Sequence, residues 1–274
     1  MLSLNNIDVC LSHAKKSDKQ QLLDLWILCF DEKPEAAQLF FDNCFQPENA
    51  YIASTDGKII AALYLLAGNC NGLQSHYLCG ASTHPDYRKK GIMAKLIEFA
   101  LDDAKAKGDV FSFLFPANEG LYDFYSRFGY EKLCTAVVCY ADREELKAIS
   151  QKNPVTNSGT KEKDAFVMSE DLTRFASEYY KVYNAKSITD KDFLVFFNEN
   201  GNTAEVFTCL CDEADFPRIC KRLLDETAAE KFSFILKEKN SLLKSFKKIN
   251  YGMLLVLDDK YTINNETHIG ITLN

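Results

Sequence analysis

A chain of 274 residues, 47% hydrophobic and 26% charged, has room for one large or two small folded domains, and no stretch approaches the roughly 18 uninterrupted apolar residues of a membrane helix. The formal net charge of −7 disfavours a general nucleic-acid binder, whose affinity rests on basic contacts to phosphates, and suits a cationic small partner. The N-terminus, MLSLNNIDVCLSHAKK, lacks the basic start, apolar stretch and cleavage site of a secretory signal, so a cytoplasmic protein is expected.

The ten cysteines form no Cys-x-x-Cys pair, and none stands with a histidine at zinc-ligand spacing. They read as reduced, mostly buried small hydrophobes, and no metal is expected. Cys209 and Cys211 are two apart in an apolar run, so a strand would put them on one face.

Taken along the chain, Ser17 and Gln20 have capping-box spacing ahead of an apolar helix through Leu22, Trp26 and Leu28. Pro34 suits the first turn of a second helix through Ala36, Leu39 and Phe41. Tyr51–Ala53 and Ile59–Leu66 flank Asp56-Gly57, the signature of a tight hairpin, and His76–Thr83 reads as a third strand. An alternation follows: a helix from Ile92 to Lys107, a buried strand over Val110–Phe115, a helix through Phe124 and Phe128, and a strand through Leu133 and Val138. The order predicts a mixed sheet with helices on both faces.

Gln151 to Asp164 (QKNPVTNSGTKEKD) is the expected linker. Beyond it the periodicity predicts helices over Leu172–Tyr183, around Phe193–Phe197 and over Ile219–Leu224, with a strand over Val206–Cys211. FSFILKEKNSLLKSFKKINYGML (232–254) can be laid without gaps on FSFLFPANEGLYDFYSRFGYEKL (111–133), matching Phe111, Ser112, Phe113, Leu121, Tyr130 and Leu133 with identical residues. A duplicated lobe is the implication. The second copy reads as shortened, with no counterpart of the Asp56-Gly57 hairpin, and it sets Phe246 opposite Tyr125.

Chemistry concentrates in GASTHPDYRKKGIMAKLIEFAL, residues 80–101. A strand ends at Thr83, a loop holds Arg88, Lys89, Lys90 and Gly91, and a helix opens at Ile92 and Met93. Such a turn points backbone N–H groups and the positive end of a helix at one place, where a phosphate can sit. Gly91 permits positive φ or close approach, and the three basic residues add charge.

This segment resembles the GNAT superfamily of acyl-coenzyme A-dependent N-acyltransferases, whose Arg/Gln-x-x-Gly-x-Gly/Ala loop holds the pyrophosphate of coenzyme A. Here the loop is Arg88-Lys89-Lys90-Gly91-Ile92-Met93, with Met93 where the family prefers Gly or Ala. The resemblance continues in Asn118, followed seven residues on by Tyr125-Ser126-Arg127-Phe128-Gly129-Tyr130. It implies a GNAT fold with a complete N-terminal lobe (1–145), a linker (146–164) and a truncated GNAT-like copy (165–274). It implies acetyl-coenzyme A as co-substrate and the amine of a small molecule or peptide as acceptor, with neither nucleic acid nor membrane as partner. By the same resemblance Ala81, Ser82 and Thr83 would offer main-chain hydrogen bonds to the pantetheine and thioester carbonyl, Asn118 would contact the pantetheine arm or its thiol end, and Tyr125 would protonate the leaving thiolate. The tandem order is also similar to the enhanced-intracellular-survival type of aminoglycoside acetyltransferases, whose terminal carboxylate reaches the active site; here that carboxylate belongs to Asn274.

Other readings stand beside these. Tyr125 also fits as a core aromatic, and Trp26, Phe30, Phe40, Phe41 and Phe45 fit either a core or an acceptor pocket. The general base is open among Asp31, Glu32, Glu35, Glu119 and a water chain. A non-catalytic acyl-coenzyme A sensor or interaction module would keep the phosphate loop and lack turnover.

Overall fold

The computed structural model describes residues 2–4, 7–152, 164–263 and 266–273. In chain order the elements are β1 (Leu2–Leu4), β2 (Ile7–His13), α1 (Lys19–Cys29), α2 (Pro34–Asn43), β3 (Ala50–Thr55), β4 (Lys58–Cys70), β5 (Leu73–Thr83), α3 (Ile92–Ala106), β6 (Phe111–Leu114), α4 (Glu119–Ser126) and β7 (Thr135–Asp142). There follow α5 (Arg143–Ser150), β8 (Ala165–Met168), α6 (Glu170–Val182), β9 (Lys186–Thr189), β10 (Leu194–Asn200), β11 (Thr203–Leu210), α7 (Phe216–Glu226), β12 (Lys231–Leu236), β13 (Ser245–Asn250), β14 (Met253–Val256) and β15 (His268–Ile269).

The strands form two sheets. The first runs β1-β2-β3-β4-β5-β6-β14, with β8 pairing the far end of β4 and β15 pairing β8. It is antiparallel from β1 to β5, and β5 and β6 are parallel. Two-residue turns join β3 to β4 and β4 to β5, and Asp56, Gly57, Asn71 and Gly72 all have the positive φ that such tight hairpins require. β4 is buried along most of its length because both faces are covered. Ile60, Leu63 and Leu65 pack with Ile92, Leu96 and Ala100 of α3, while Ala62, Tyr64 and Leu66 pack with Leu25, Trp26 and Phe40 of α1 and α2.

The second sheet runs β13-β7-β12-β11-β10-β9, with its own core of Phe197, Val206, Ile219, Leu223 and Phe234. The sheets trade strands. β7 leaves the first half of the chain to lie between β12 and β13, while β14 returns from the second half to pair with β6. The strands are therefore shared out differently from the stretches 1–145 and 165–274. Residues 146–150 of the expected linker belong to α5, and residues 153–163 lie outside the described residues.

Four expectations need correction. The helix around Phe193–Phe197 is strand β10, joined to β11 through Gly201 (φ 60) and paired from Leu194↔Leu210 to Asn200↔Thr203. A short apolar run such as Leu-Val-Phe-Phe has no distinguishing period, and pairing on both sides decides its conformation. The antiparallel run β9-β10-β11, followed by α7 and by β12 parallel to β11, repeats the order β3-β4-β5-α3-β6, so the Asp56-Gly57 hairpin of β3 and β4 does have a counterpart, in β9 and β10. The gapless match of 232–254 to 111–133 holds where β12 answers β6 and fails where α4 faces a turn and β13; Phe246 lies on that strand, 47% exposed. Ahead of α1, neither Ser17 nor Asp18 caps the helix with its side chain; Asp18 Oδ2 instead accepts from the Lys15 N–H at 2.8 Å within the short 3-10 turn Lys16–Asp18.

All ten cysteines are free, and six are buried. The Sγ atoms of Cys209 and Cys211 are 3.7 Å apart, on one face as the spacing implied. Among the described residues no group of three or more His, Cys, Asp or Glu could hold a metal, and no helix is long and apolar enough to cross a membrane.

His268 sits where the chain passes between sheets. Its Nδ1–H donates to the Thr135 carbonyl at 3.0 Å and its ring stacks on Tyr251 at 5.3 Å, while Tyr251 N–H donates to Cys134 O. Burial drives its pKa down to about 4. An unfolded histidine takes up its proton near ~6.5, so below that pH the unfolded state binds more protons and stability falls until the folded state also protonates. Urea denaturation should show about 2 kcal/mol more stability lost between pH 7 and 4.5 in the native chain than in His268→Gln; equal losses would show that His268 does not couple folding to pH.

Candidate active site

β5 and β6 pair only from Ser75↔Phe111 to Tyr77↔Phe113, although β5 continues to Thr83. Past Tyr77 the two strands part. The cause lies in β5, where Gly80 and Ala81 together oppose Leu63 of β4: Tyr64 pairs with Cys79 and Ala62 with Ser82. Such a bulge bends its strand and breaks the ladder. Gly80 makes it possible, with φ +60 and a position at which a Cβ would lie 2.3 Å from the Trp26 ring.

A cavity of about 640 Å³ opens at this parting. Leu78 to Ala81 form one side; Leu114, Phe115, Ala117, Leu121 and Tyr125 form the other. α1 and the turn after it bring Trp26, Phe30, Asp31 and Glu32, and α2 brings Phe40. Tyr179 and Tyr183 come from α6 and its end, and Leu273 from the C-terminal segment.

The cavity thus brings together Ala81 and Tyr125 of the expected site residues. Ser82, Thr83, Asn118 and the loop from Arg88 to Met93 lie outside its wall. The Ser82 hydroxyl donates to Ala62 O at 3.4 Å, and Thr83 O accepts from Arg88 Nε at 3.0 Å. Asn118 is the N-cap of α4 with no side-chain cap bond, leaving its amide exposed and uncommitted to the helix.

The loop has the shape expected of an anion cradle. Lys89 (φ 62) and Gly91 (φ 79) are left-handed, on either side of Lys90. α3 starts without a side-chain cap, and its first turn holds no acidic residue. Its leading N–H groups therefore face outward together with the positive helix end. Lys90 Nζ donates to Asp86 O at 2.9 Å, whereas Arg88 and Lys89 make no ion pair among the described residues. Met93 is half-buried against the α3 core, which accounts for a larger side chain at that position.

Tyr125 is 7% exposed and its hydroxyl makes no hydrogen bond among the described residues. Burial, with a smaller contribution from Cys79, pushes its pKa up to about 12. It is both things the sequence allowed, a core aromatic against Phe124 and Tyr130 and a phenol at the cavity wall. Of the aromatic residues left open between core and pocket, Trp26, Phe30 and Phe40 line the cavity; Phe41 and Phe45 belong to the core behind it. Of the acids, Asp31 and Glu32 line it, whereas Glu35 and Glu119 do not. Asn274 lies outside the described residues, one position beyond Leu273.

Residues 11–133 match the family described as acetyltransferase (GNAT) domain. That match places a GNAT acetyltransferase-like domain in the first half of the chain. Its fold is shared with a GCN5-related N-acetyltransferase from Kribbella flavida, 16% identical over 92% of this chain and 72% of that one, with a TM-score of 0.66. Eis1 from Mycobacterium abscessus aligns over 92% of this chain and 74% of its own at 11% identity and TM-score 0.63. A GCN5-related N-acetyltransferase from Anabaena variabilis aligns over 92% and 73% at 15% identity and TM-score 0.62. These likenesses extend past the GNAT domain, so the two-sheet arrangement is itself shared. No curated protein matches the chain.

Sequence reasoning left Cys79, Tyr179, Tyr183 and Leu273 of the cavity wall unassigned. A cysteine two residues before the Ala81–Thr83 stretch was the one local signal available; the others arrive from far along the chain. Gly80→Ala should cost about 2–3 kcal/mol in urea denaturation, through backbone strain and collision with the indole. It should also shift the emission of Trp26, the single tryptophan of the chain. Native stability with native emission would show that the bulge accepts a side chain.

Proposed function

We propose that this chain binds acetyl-coenzyme A at the parting of β5 and β6 and transfers the acetyl group directly to an amine of a small molecule or peptide. The observation that carries the reading is the arrangement of the opening: β5 backbone without a partner strand on one side, the Tyr125 hydroxyl on the other, and the uncapped α3 loop following directly from the end of β5.

In this reading the N–H groups of Gly91, Ile92 and Met93 hold the pyrophosphate, with Arg88, Lys89 and Lys90 supplying charge. The main chain of Ala81, Ser82 and Thr83 lies alongside the pantetheine, and Asn118 meets its thiol end. An alkyl amine with pKa near ~10.4 must lose a proton before it attacks. The bond that forms is N–C to the acetyl carbon, the bond that breaks is C–S, and β5 N–H groups stabilise the oxyanion between the two steps. The nitrogen of the adduct releases its surplus proton to solvent, and Tyr125 donates its proton to the sulfur and regains one from solvent. A phenol at about 12 gives up that proton to a thiolate desolvated in the same cavity, where burial also raises the Cys79 thiol well above its ordinary value. No metal enters this scheme.

Tyr125→Phe should lower kcat by about 10²-fold or more while leaving the acetyl-coenzyme A dissociation constant within about twofold, as measured by steady-state kinetics and calorimetry. An unchanged kcat would remove Tyr125 from the mechanism. Gly91→Glu should abolish coenzyme A binding without unfolding the chain, because nothing lies within 4 Å of a Cβ there and the left-handed backbone costs only ~1–2 kcal/mol. Normal affinity in that variant would move the pyrophosphate elsewhere. Binding of acetyl-coenzyme A without turnover of any amine would select the sensor reading instead.

A further inference from the structure

The acceptor end of the cavity is built by residues from outside the β5–β6 parting, and their chemistry is specific. Glu32, half-buried in the turn between α1 and α2, is held by three donors: the Trp26 indole N–H, the Tyr179 hydroxyl, and the Tyr183 hydroxyl at 3.3 Å. A carboxylate has about four lone-pair directions, so a fixed one remains for a further donor. Asp31 beside it is exposed and makes no hydrogen bond or ion pair among the described residues. The wall contains no lysine, arginine or histidine, and apart from the two carboxylates half of its residues are aromatic and the rest small or aliphatic. Lys33 lies outside the wall, its Nζ donating to Val182 O at 2.7 Å and sitting over the Tyr183 ring.

Such a surface discriminates by charge count. A single ammonium finds a carboxylate already oriented by its neighbours, and an aromatic or branched body finds rings to pack against. A polyamine would have to bury further charges with no partners, at a cost that two carboxylates cannot offset. An amino acid would bring its own carboxylate against Asp31 and Glu32 with no cation to receive it.

Resting on the acyl-transfer reading above, we propose that the acceptor is an arylalkylamine, a primary amine with one positive charge on an aromatic body, whose ammonium is anchored by Glu32 with Asp31 at the exposed end. Glu32 binds the protonated amine on arrival and fixes the body among Phe30, Tyr179 and Tyr183. Tyr179 and Tyr183 are positioning residues that act through Glu32.

Trp26 makes the test independent of catalysis, since it lines the cavity and is the sole tryptophan. The full-length protein would be titrated with phenethylamine, spermidine and phenylalanine, with and without free coenzyme A, following indole emission. Phenethylamine should half-saturate at a concentration at least about tenfold below either competitor. Glu32→Gln should raise that concentration about tenfold or more and Asp31→Asn by severalfold, with acetyl-coenzyme A affinity unchanged by calorimetry. Asp31→Asn disturbs no recorded bond and so keeps the test valid if the Glu32 variant folds poorly. Equal or tighter binding of spermidine, or phenethylamine binding indifferent to both substitutions, would overturn the proposal. Failure of acetyl-coenzyme A to bind while phenethylamine still does would instead sink the acyl-transfer reading alone, leaving an amine pocket.

Discussion

A parallel pair of strands that stops pairing after three residues leaves polar backbone groups without partners, and burying such groups unpaired costs on the order of a few kcal/mol each. The parting of β5 from β6 at Tyr77 is such a place, and much of the molecule is arranged around it. Gly80 produces the bend, and Trp26 of α1 fills the space that a side chain there would occupy. α4 crosses the far side and sets Tyr125 against the gap. The opening persists because the surrounding elements are braced elsewhere: β4 is packed on both faces, and α3 and α1 cover it from opposite sides.

The second half of the chain braces the same opening from two directions. β14 completes the sheet beyond β6, which would otherwise end at a bare edge. α6 packs on α2, with Phe40 and Phe175 at 6.1 Å, and so carries Tyr179 and Tyr183 to Glu32. The second lobe lacks a phosphate loop between β11 and α7, where an Asp-Glu-Ala-Asp stretch takes its place, and four residues with three carboxylates would repel a pyrophosphate. It contributes cavity walls, an edge strand and the hydroxyls that hold Glu32.

What could be read before folding was whatever is local. The Arg88–Met93 loop, Asn118 and Tyr125 were legible because each depends on neighbours a few residues away and on a strand or helix whose period is plain. The Asp56-Gly57 turn announced β3 and β4 for the same reason. Glu32 was visible as one acid among four, but nothing near it in sequence distinguished it from Glu35, because its partners include hydroxyls about 150 residues along. The β10–β11 hairpin was hidden by a run of Leu-Val-Phe-Phe that suits either conformation, although Gly201-Asn202 marked its turn. The repeat was recognised from strand β12 and then extended too far, since identical residues at 121, 130 and 133 fall opposite a turn and strand that have no helix among them. Which sheet β7 and β14 would join had no local signature at all.

That exchange of strands also sets an order of events on the ribosome. The first lobe cannot finish its sheet when residue 133 emerges, because the strand that covers β6 is about 120 residues further along the message. Until β14 arrives, the nascent first lobe presents an open strand edge next to an incomplete cavity, and β7 waits likewise for β12. The two halves therefore mature together, and a gene fragment ending after the GNAT domain would yield a chain with an unsealed edge, prone to self-association rather than a smaller working enzyme.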